Sequence, residues 1–192
     1  MAVKTLTNGD DNYPETGYPS YLNAVNLTVF GKDGNDYIAL KGSYNTLNGD
    51  AGTDWLYADG NKNKLNGGLG EDYLHVDGNY NTLSGGDGND ILFVESYAHP
   101  STGNVVSGDA GNDNIWLYGA FSSTVSGGIG DDDIHGYVYG SSLNGNDGID
   151  FIEFEGFSNT VSGGSGGDEL DLYYGTGNVL NGDGGDDYIR QN

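Results

Sequence analysis

The chain of 192 residues sets 6 Lys and Arg against 29 Asp and Glu, for a net charge of −23, and it contains 36 glycines and no cysteine. Disulfides and thiolate metal sites are excluded, and the charge repels nucleic acid and anionic membrane surfaces. Only 35% of residues are hydrophobic, yet 15 tyrosines and three prolines argue for an ordered domain that depends on a cationic counter-charge rather than for disorder.

Residues 1–28, "MAVKTLTNGDDNYPETGYPSYLNAVNLT", hold no apolar stretch long enough for a Sec-type signal peptide. No later segment approaches the roughly 18 apolar residues of a membrane span. Residues 1–28 are expected to cap one end of the repeats that begin at Val29, because an open repeat stack exposes strand edges.

From 29 to 192 one hexapeptide recurs, with glycine first, glycine fourth and aspartate sixth. It begins as GKDGND (Gly31, Gly34, Asp36), GDAGTD (Gly49, Gly52, Asp54), GGLGED (Gly67, Gly70, Asp72) and GGDGND (Gly85, Gly88, Asp90). It continues as GDAGND (Gly108, Gly111, Asp113), GGIGDD (Gly127, Gly130, Asp132), GNDGID (Gly145, Gly148, Asp150), GGSGGD (Gly163, Gly166, Asp168) and GDGGDD (Gly182, Gly185, Asp187). Successive starts are 18, 18, 18, 23, 19, 18, 18 and 19 residues apart. Such a period, with additions confined to a few places, is that of a solenoid. Two residues beyond each aspartate stands a branched aliphatic: Ile38, Leu56, Leu74, Leu92, Ile115, Ile134, Ile152, Leu170 and Ile189.

Between these copies lies an altered nonapeptide that keeps the aliphatic but carries Asn45, Asn63, Asn81, Asn104, Asn159 or Asn178 at the sixth place, or Ser123 and Ser141. Each coil therefore has one charged and one neutral turn. The longest interval contains "ESYAHPSTGN", Glu95 to Asn104, expected as a loop on the neutral edge.

The repeat resembles the RTX calcium-binding β-roll family, whose nonapeptide is GGxGxDxUx, and the resemblance covers nearly all of residues 29–191. It implies an all-β fold: a parallel β-roll solenoid of about nine 18-residue coils with two short-stranded parallel sheets, each hexapeptide a turn, and calcium between stacked turns. It also implies export by type I secretion to a calcium-rich extracellular space. The chain departs from the family in that only alternate nonapeptides have the calcium-binding form, so ions are expected on the Asp edge alone.

The residues support the same expectation. Glycine at the first and fourth places lets the turn point carbonyl oxygens at a common centre. Calcium takes six to eight hard oxygens at roughly 2.3–2.6 Å. With neighbouring strands about 4.8 Å apart, one aspartate per coil is expected to share its two oxygens between the ions above and below. Nine turns enclose eight gaps, and eight Ca2+ ions would change −23 to about −7, so binding would be largely folding free energy.

Alternation assigns Leu40, Val76, Val94, Leu117, Phe154 and Leu172, with the aliphatics above, to one inner wall. Leu47, Leu65, Leu83, Val106, Val125, Leu143, Val161 and Leu180 form the other. Outward on the first face stand Tyr37, Trp55, Tyr57, Tyr73, His75, Ile91, Phe93, Trp116, His135 and Phe151. Two readings stand for this row: a surface for polysaccharide or another protein, or rings that simply favour strands and cover a narrow core. Towards the carboxyl end the face turns polar with Asp133, Glu153, Glu169 and Asp171, so a binding patch is expected over the first five coils. The opposite face carries Thr46, Thr82, Thr124 and Thr160 beside Ser and Asn, interrupted by Lys64. It is either an ice-binding array or solvated strand surface. No catalytic constellation emerges: His75 and His135 lie three coils apart, about 14 Å, and no nucleophile stands beside a repeatable base. The chain is expected not to be an enzyme.

Overall fold

The computed structural model describes residues 2–13, 22–95 and 101–192. Among them every regular element is a strand, and the strands form two parallel sheets of a β-solenoid of about nine coils. No helix is long and apolar enough to cross a membrane. One sheet, here called the aromatic sheet, takes the strand after each aspartate, such as Trp55–Asp59, Tyr73–Asp77 and Ile91–Glu95. The other, the hydroxyl sheet, takes the strand after each neutral turn, such as Lys64–Leu69, Thr82–Asp87 and Val105–Ala110.

Equivalent residues stack in rows along the solenoid axis, Leu65, Leu83 and Val106 in one sheet, Leu74, Leu92 and Ile115 in the other, and register shifts between Tyr118 and Ala120 and between Phe154 and Glu155 in the aromatic sheet. Both inner walls are buried as the alternation requires. The last coil differs, with Leu180 half-buried and Ile189 47% exposed, since no described coil lies beyond it. A parallel solenoid buries its apolar residues against the coils on either side, so a thin core stays dry only where both neighbours exist.

The hexapeptide is not wholly a turn. Its first three residues continue the hydroxyl-sheet strand, as Gly85, Gly86 and Asp87 end Thr82–Asp87, and only the last three change direction. The charged and neutral turns also differ in backbone, so the second is not a copy of the first with Asp changed to Asn. The charged turn has positive φ at its second and fourth places, for example Asp50 (74°) and Gly52 (140°). The neutral turn has it at its third place, as at Gly42 (127°), Gly60 (144°) and Gly78 (139°), and at the residue before the asparagine, as at Tyr44 (63°), Lys62 (57°) and Tyr80 (57°).

In front of the first hexapeptide stands one more coil. Ala2–Thr5 pairs with the strand Leu27–Asp33, Asn12–Tyr13 with Tyr37 and Ile38, and Leu22–Asn23 with Leu40 and Lys41. Leu6 to Asp11 thus sits as a further charged turn, with Leu6 in the first place, Gly9 in the fourth and Asp11 in the sixth. Residues 14–21, and 96–100 of the expected neutral-edge loop, lie outside the described residues. Ser101–Thr102 pairs with Ala120 and Phe121, and Asn104 keeps its place in the neutral edge.

Candidate functional site

The nine aspartates at the sixth place form one row along one edge. Eight of them, Asp36 to Asp168, are no more than 2% exposed. Each is fixed by its predecessor: Oδ1 of Asp54 accepts the backbone N–H of Asp36 at 2.7 Å. Asp72 accepts that of Asp54 at 2.8 Å, Asp90 that of Asp72 at 2.8 Å, and the series ends with Asp187 accepting from Asp168 at 3.1 Å. Asp36 in turn accepts from Asp11, which joins the extra coil to the row. The two carboxylate oxygens expected to be equivalent have different partners. One oxygen satisfies a buried N–H that the turn cannot otherwise pair, and only Oδ2 remains.

That remaining oxygen points inward. Oδ2 of Asp36, Asp54, Asp72, Asp90, Asp113, Asp132, Asp150 and Asp168 is buried with no hydrogen-bond partner. It occupies the hollow left by the missing side chain of the first-place glycine. A Cβ on Gly85 would collide with Asp90 Oδ2 and with the carbonyl oxygen of Gly108 in the next coil, and the other copies from Gly31 to Gly145 repeat this. Strand pairing passes from Ser84–Ser107 to Gly86–Asp109 without Gly85 or Gly108. The first-place glycines, all buried, therefore interrupt the ladder where the carboxylate enters. The fourth-place glycine is required separately: Gly88 has φ 135°, and a Cβ there would meet Gly70 O.

Burial with only one of the two oxygens hydrogen-bonded raises these carboxyls above the ordinary value of 3.8. Desolvation, opposed by the backbone N–H and reinforced by neighbouring carboxylates, raises Asp54, Asp90 and Asp132 to about 7 and Asp36 and Asp150 to about 6. Asp113 is raised to about 6 by desolvation with Asp109 nearby, and Asp72 and Asp168 shift in the same direction. Among the described residues no three carboxylate or imidazole side chains converge as a metal-binding group. A cation on this edge must therefore take backbone carbonyls as well. The donor set is all hard oxygen, and the hollow is closed to any side chain, so the edge fits calcium.

The neutral edge solves the same problem differently. Oδ1 of Asn63 accepts the N–H of Asn45 at 2.9 Å, and Nδ2 of Asn63 donates to Gly42 O at 3.0 Å. Asn45, Asn104, Asn159 and Asn178 also donate to a carbonyl of an earlier coil, while Asn81 Nδ2 is buried without a partner. A further ladder escaped the sequence reading. At the fifth place of the charged turn, Asn35 Oδ1 accepts from Thr53 N–H, Asn112 Oδ1 from Asp131 and Asp131 Oδ1 from Ile149. It runs opposite to the sixth-place row, and the signal for it was the excess of Asn and Asp at that place.

On the aromatic sheet the rings cover one another. Trp55 stacks on Tyr73 with centroids 4.6 Å apart, Tyr57 meets His75 edge-on at 4.7 Å, and Trp116 lies on His135 at 4.4 Å. His75 Nε2 is 3.0 Å from Glu95 Oε1, yet burial lowers its pKa. Asp171, expected outward, is 2% exposed beneath Arg190, with which it forms an ion pair. On the hydroxyl face Ser107 Oγ donates to Asp109 Oδ1 at 2.6 Å. No family model, no curated protein and no solved structure matches the chain.

Proposed function

We propose that the chain is a non-enzymatic calcium-binding solenoid of the RTX type, completed by cations along its Asp edge, within a secreted or cell-surface bacterial protein. The observation that carries this reading is the row of eight buried Oδ2 atoms without a donor. Asp36, Asp54, Asp72, Asp90, Asp113, Asp132, Asp150 and Asp168 would hold the ions, together with carbonyl oxygens of the hexapeptide turns. A bound cation would supply the positive charge that no ion pair among the described residues gives these eight aspartates. Zinc prefers nitrogen and sulfur ligands, and magnesium keeps its waters and a strict octahedron. Calcium tolerates the mixed carbonyl and carboxylate set repeated here.

Isolated buried carboxylates are among the costliest groups a fold can carry, and self-repulsion at −23 adds to the cost. Binding should therefore appear as folding. Circular dichroism of resin-stripped protein at pH 8 is expected to show a weakened β signal with a low melting temperature and to regain both on calcium titration, with calorimetry counting several ions. A metal-free chain that is fully folded and equally heat-stable would overturn the proposal.

A further inference from the structure

The stacked rings of the aromatic sheet give way to an open groove in its later half. Gly136 lies in register between Leu117 and Phe154, in a row where the other coils place a larger inner side chain, the smallest being Ala58. Beyond it the outer rows change chemistry. The row Trp116–His135 continues into Glu153, and the row Tyr118–Tyr137 continues into Glu155. Over these strands is a groove of about 250 Å³ lined by Trp116, Tyr118, His135, Tyr137, Glu153, Glu155 and Tyr173.

Three of its rings are open to solvent, Tyr118 at 48%, Tyr137 at 43% and Tyr173 at 42% exposure. Glu153 is 3.6 Å from His135 Nδ1, and His135 is itself held by Asp133 at 2.7 Å. Glu155 is exposed, and among the described residues no cationic side chain pairs with it. The lining thus combines ring faces, which carry negative potential, with an uncompensated carboxylate on a chain of charge −23. Anions are repelled, and the volume is below the roughly 300–1,000 Å³ of a drug-sized site. What satisfies both features is a small cation with an apolar surface.

We infer that this groove binds an organic ammonium group, either a quaternary ammonium or the protonated amine of an amino sugar. The inference concerns a different sheet from the calcium edge and does not depend on it. The chain has two tryptophans, so Trp55→Phe leaves Trp116 as the reporter in the groove. Fluorescence of that variant is titrated at constant ionic strength, in calcium-containing buffer, with choline, glucosamine, glucose and sodium chloride. Saturable change with choline or glucosamine and none with glucose or sodium chloride is expected. The choline and glucosamine arms separate the two sources.

Adding Glu155→Gln, an exposed change whose fold is checked by circular dichroism, should weaken the response roughly fivefold to thirtyfold. Equal responses to glucose and glucosamine would make the groove a neutral-sugar site and overturn the inference. So would an affinity unchanged by Glu155→Gln, or no saturable response to either amine.

Discussion

The two edges of the solenoid are equally buried and perform one task in common, yet only one of them is nearly complete, with Asn81 Nδ2 its one asparagine nitrogen left without an acceptor among the described residues. On both, a sixth-place side chain accepts the N–H of the preceding coil: Asn63 from Asn45 at 2.9 Å, Asp54 from Asp36 at 2.7 Å. The difference lies in the second atom. Asn63 has an amide nitrogen there and donates it to Gly42 O, whereas Asp54 has another oxygen with no donor to face. An acceptor buried among acceptors needs a proton or a cation. A change of one atom thus separates an edge that closes by itself from one that waits for its environment.

Exchanging that atom is expected to give the largest effect. Asn63→Asp removes the donor to Gly42 and buries a lone carboxylate, at a cost of roughly 2–4 kcal/mol in metal-free protein above pH 7. The reverse change, Asp90→Asn, should stabilise the metal-free chain by about 1 kcal/mol while lowering the number of calcium ions bound. Thermal melts with and without calcium, beside calorimetric ion counts, check both. If Asp90→Asn destabilised the metal-free protein, the carboxylate would already have a partner in that state.

Acidity should sharpen the contrast next. Unfolded, these carboxyls ionise near the ordinary 3.8; folded and metal-free, Asp54, Asp90 and Asp132 ionise only near 7. Between those values the folded chain holds more protons, so its stability falls as pH rises from about 4 to about 7 and remains low above that. With calcium bound, the trend should invert, because protons and ions compete for the same Oδ2. Melting temperatures from pH 4.5 to 8, with and without calcium, should cross; parallel curves would contradict the assignment.

The smallest effect belongs to the end of the row. Asp187 is only half-buried, and its Oδ1 accepts from Asp168 at 3.1 Å. Asp187→Ala should fray one coil and cost under about 1 kcal/mol, whereas Asp90→Ala removes an acceptor from mid-stack and divides the cooperative unit. Calcium-dependent melts of the two variants, compared in midpoint and steepness, decide this. Equal losses would mean that neighbouring coils do not share their stabilisation.

Much of this was legible because glycine and aspartate at fixed places specify the backbone almost directly. Gly85, Gly88 and Asp90 announced a repeating turn, and the inner walls followed from strict alternation. The coil at Leu6–Asp11 was missed because Leu6 replaces the first-place glycine and Gly31 follows Leu6 by 25 residues. Its Asp11 behaves accordingly: with no hollow to enter, Oδ2 accepts from Thr7 N at 2.6 Å and Thr7 Oγ1 at 2.8 Å. Residue types alone did not reveal that Asp54 commits one oxygen to Asp36, since spacing carries no side-chain direction. Nor did they place the groove. The rings of the first five coils were the visible signal, and Trp55 among them is as open as the groove's own rings, but the groove lies where glycine and glutamate break the row.

The one-way handing of each N–H to the following coil makes the molecule's length a free variable. Every interior coil gives one donor forward and receives one from behind, so excising a whole period such as residues 67–84 would bring Asp54 N–H to face Asp90 Oδ1 with the stagger unchanged. Removing half a period would set a turn with positive φ at its second and fourth places over one that needs it at its third place and just before the asparagine. Variation by whole coils therefore leaves no new orphan group inside, and a lineage built this way can lengthen or shorten without redesigning its interior.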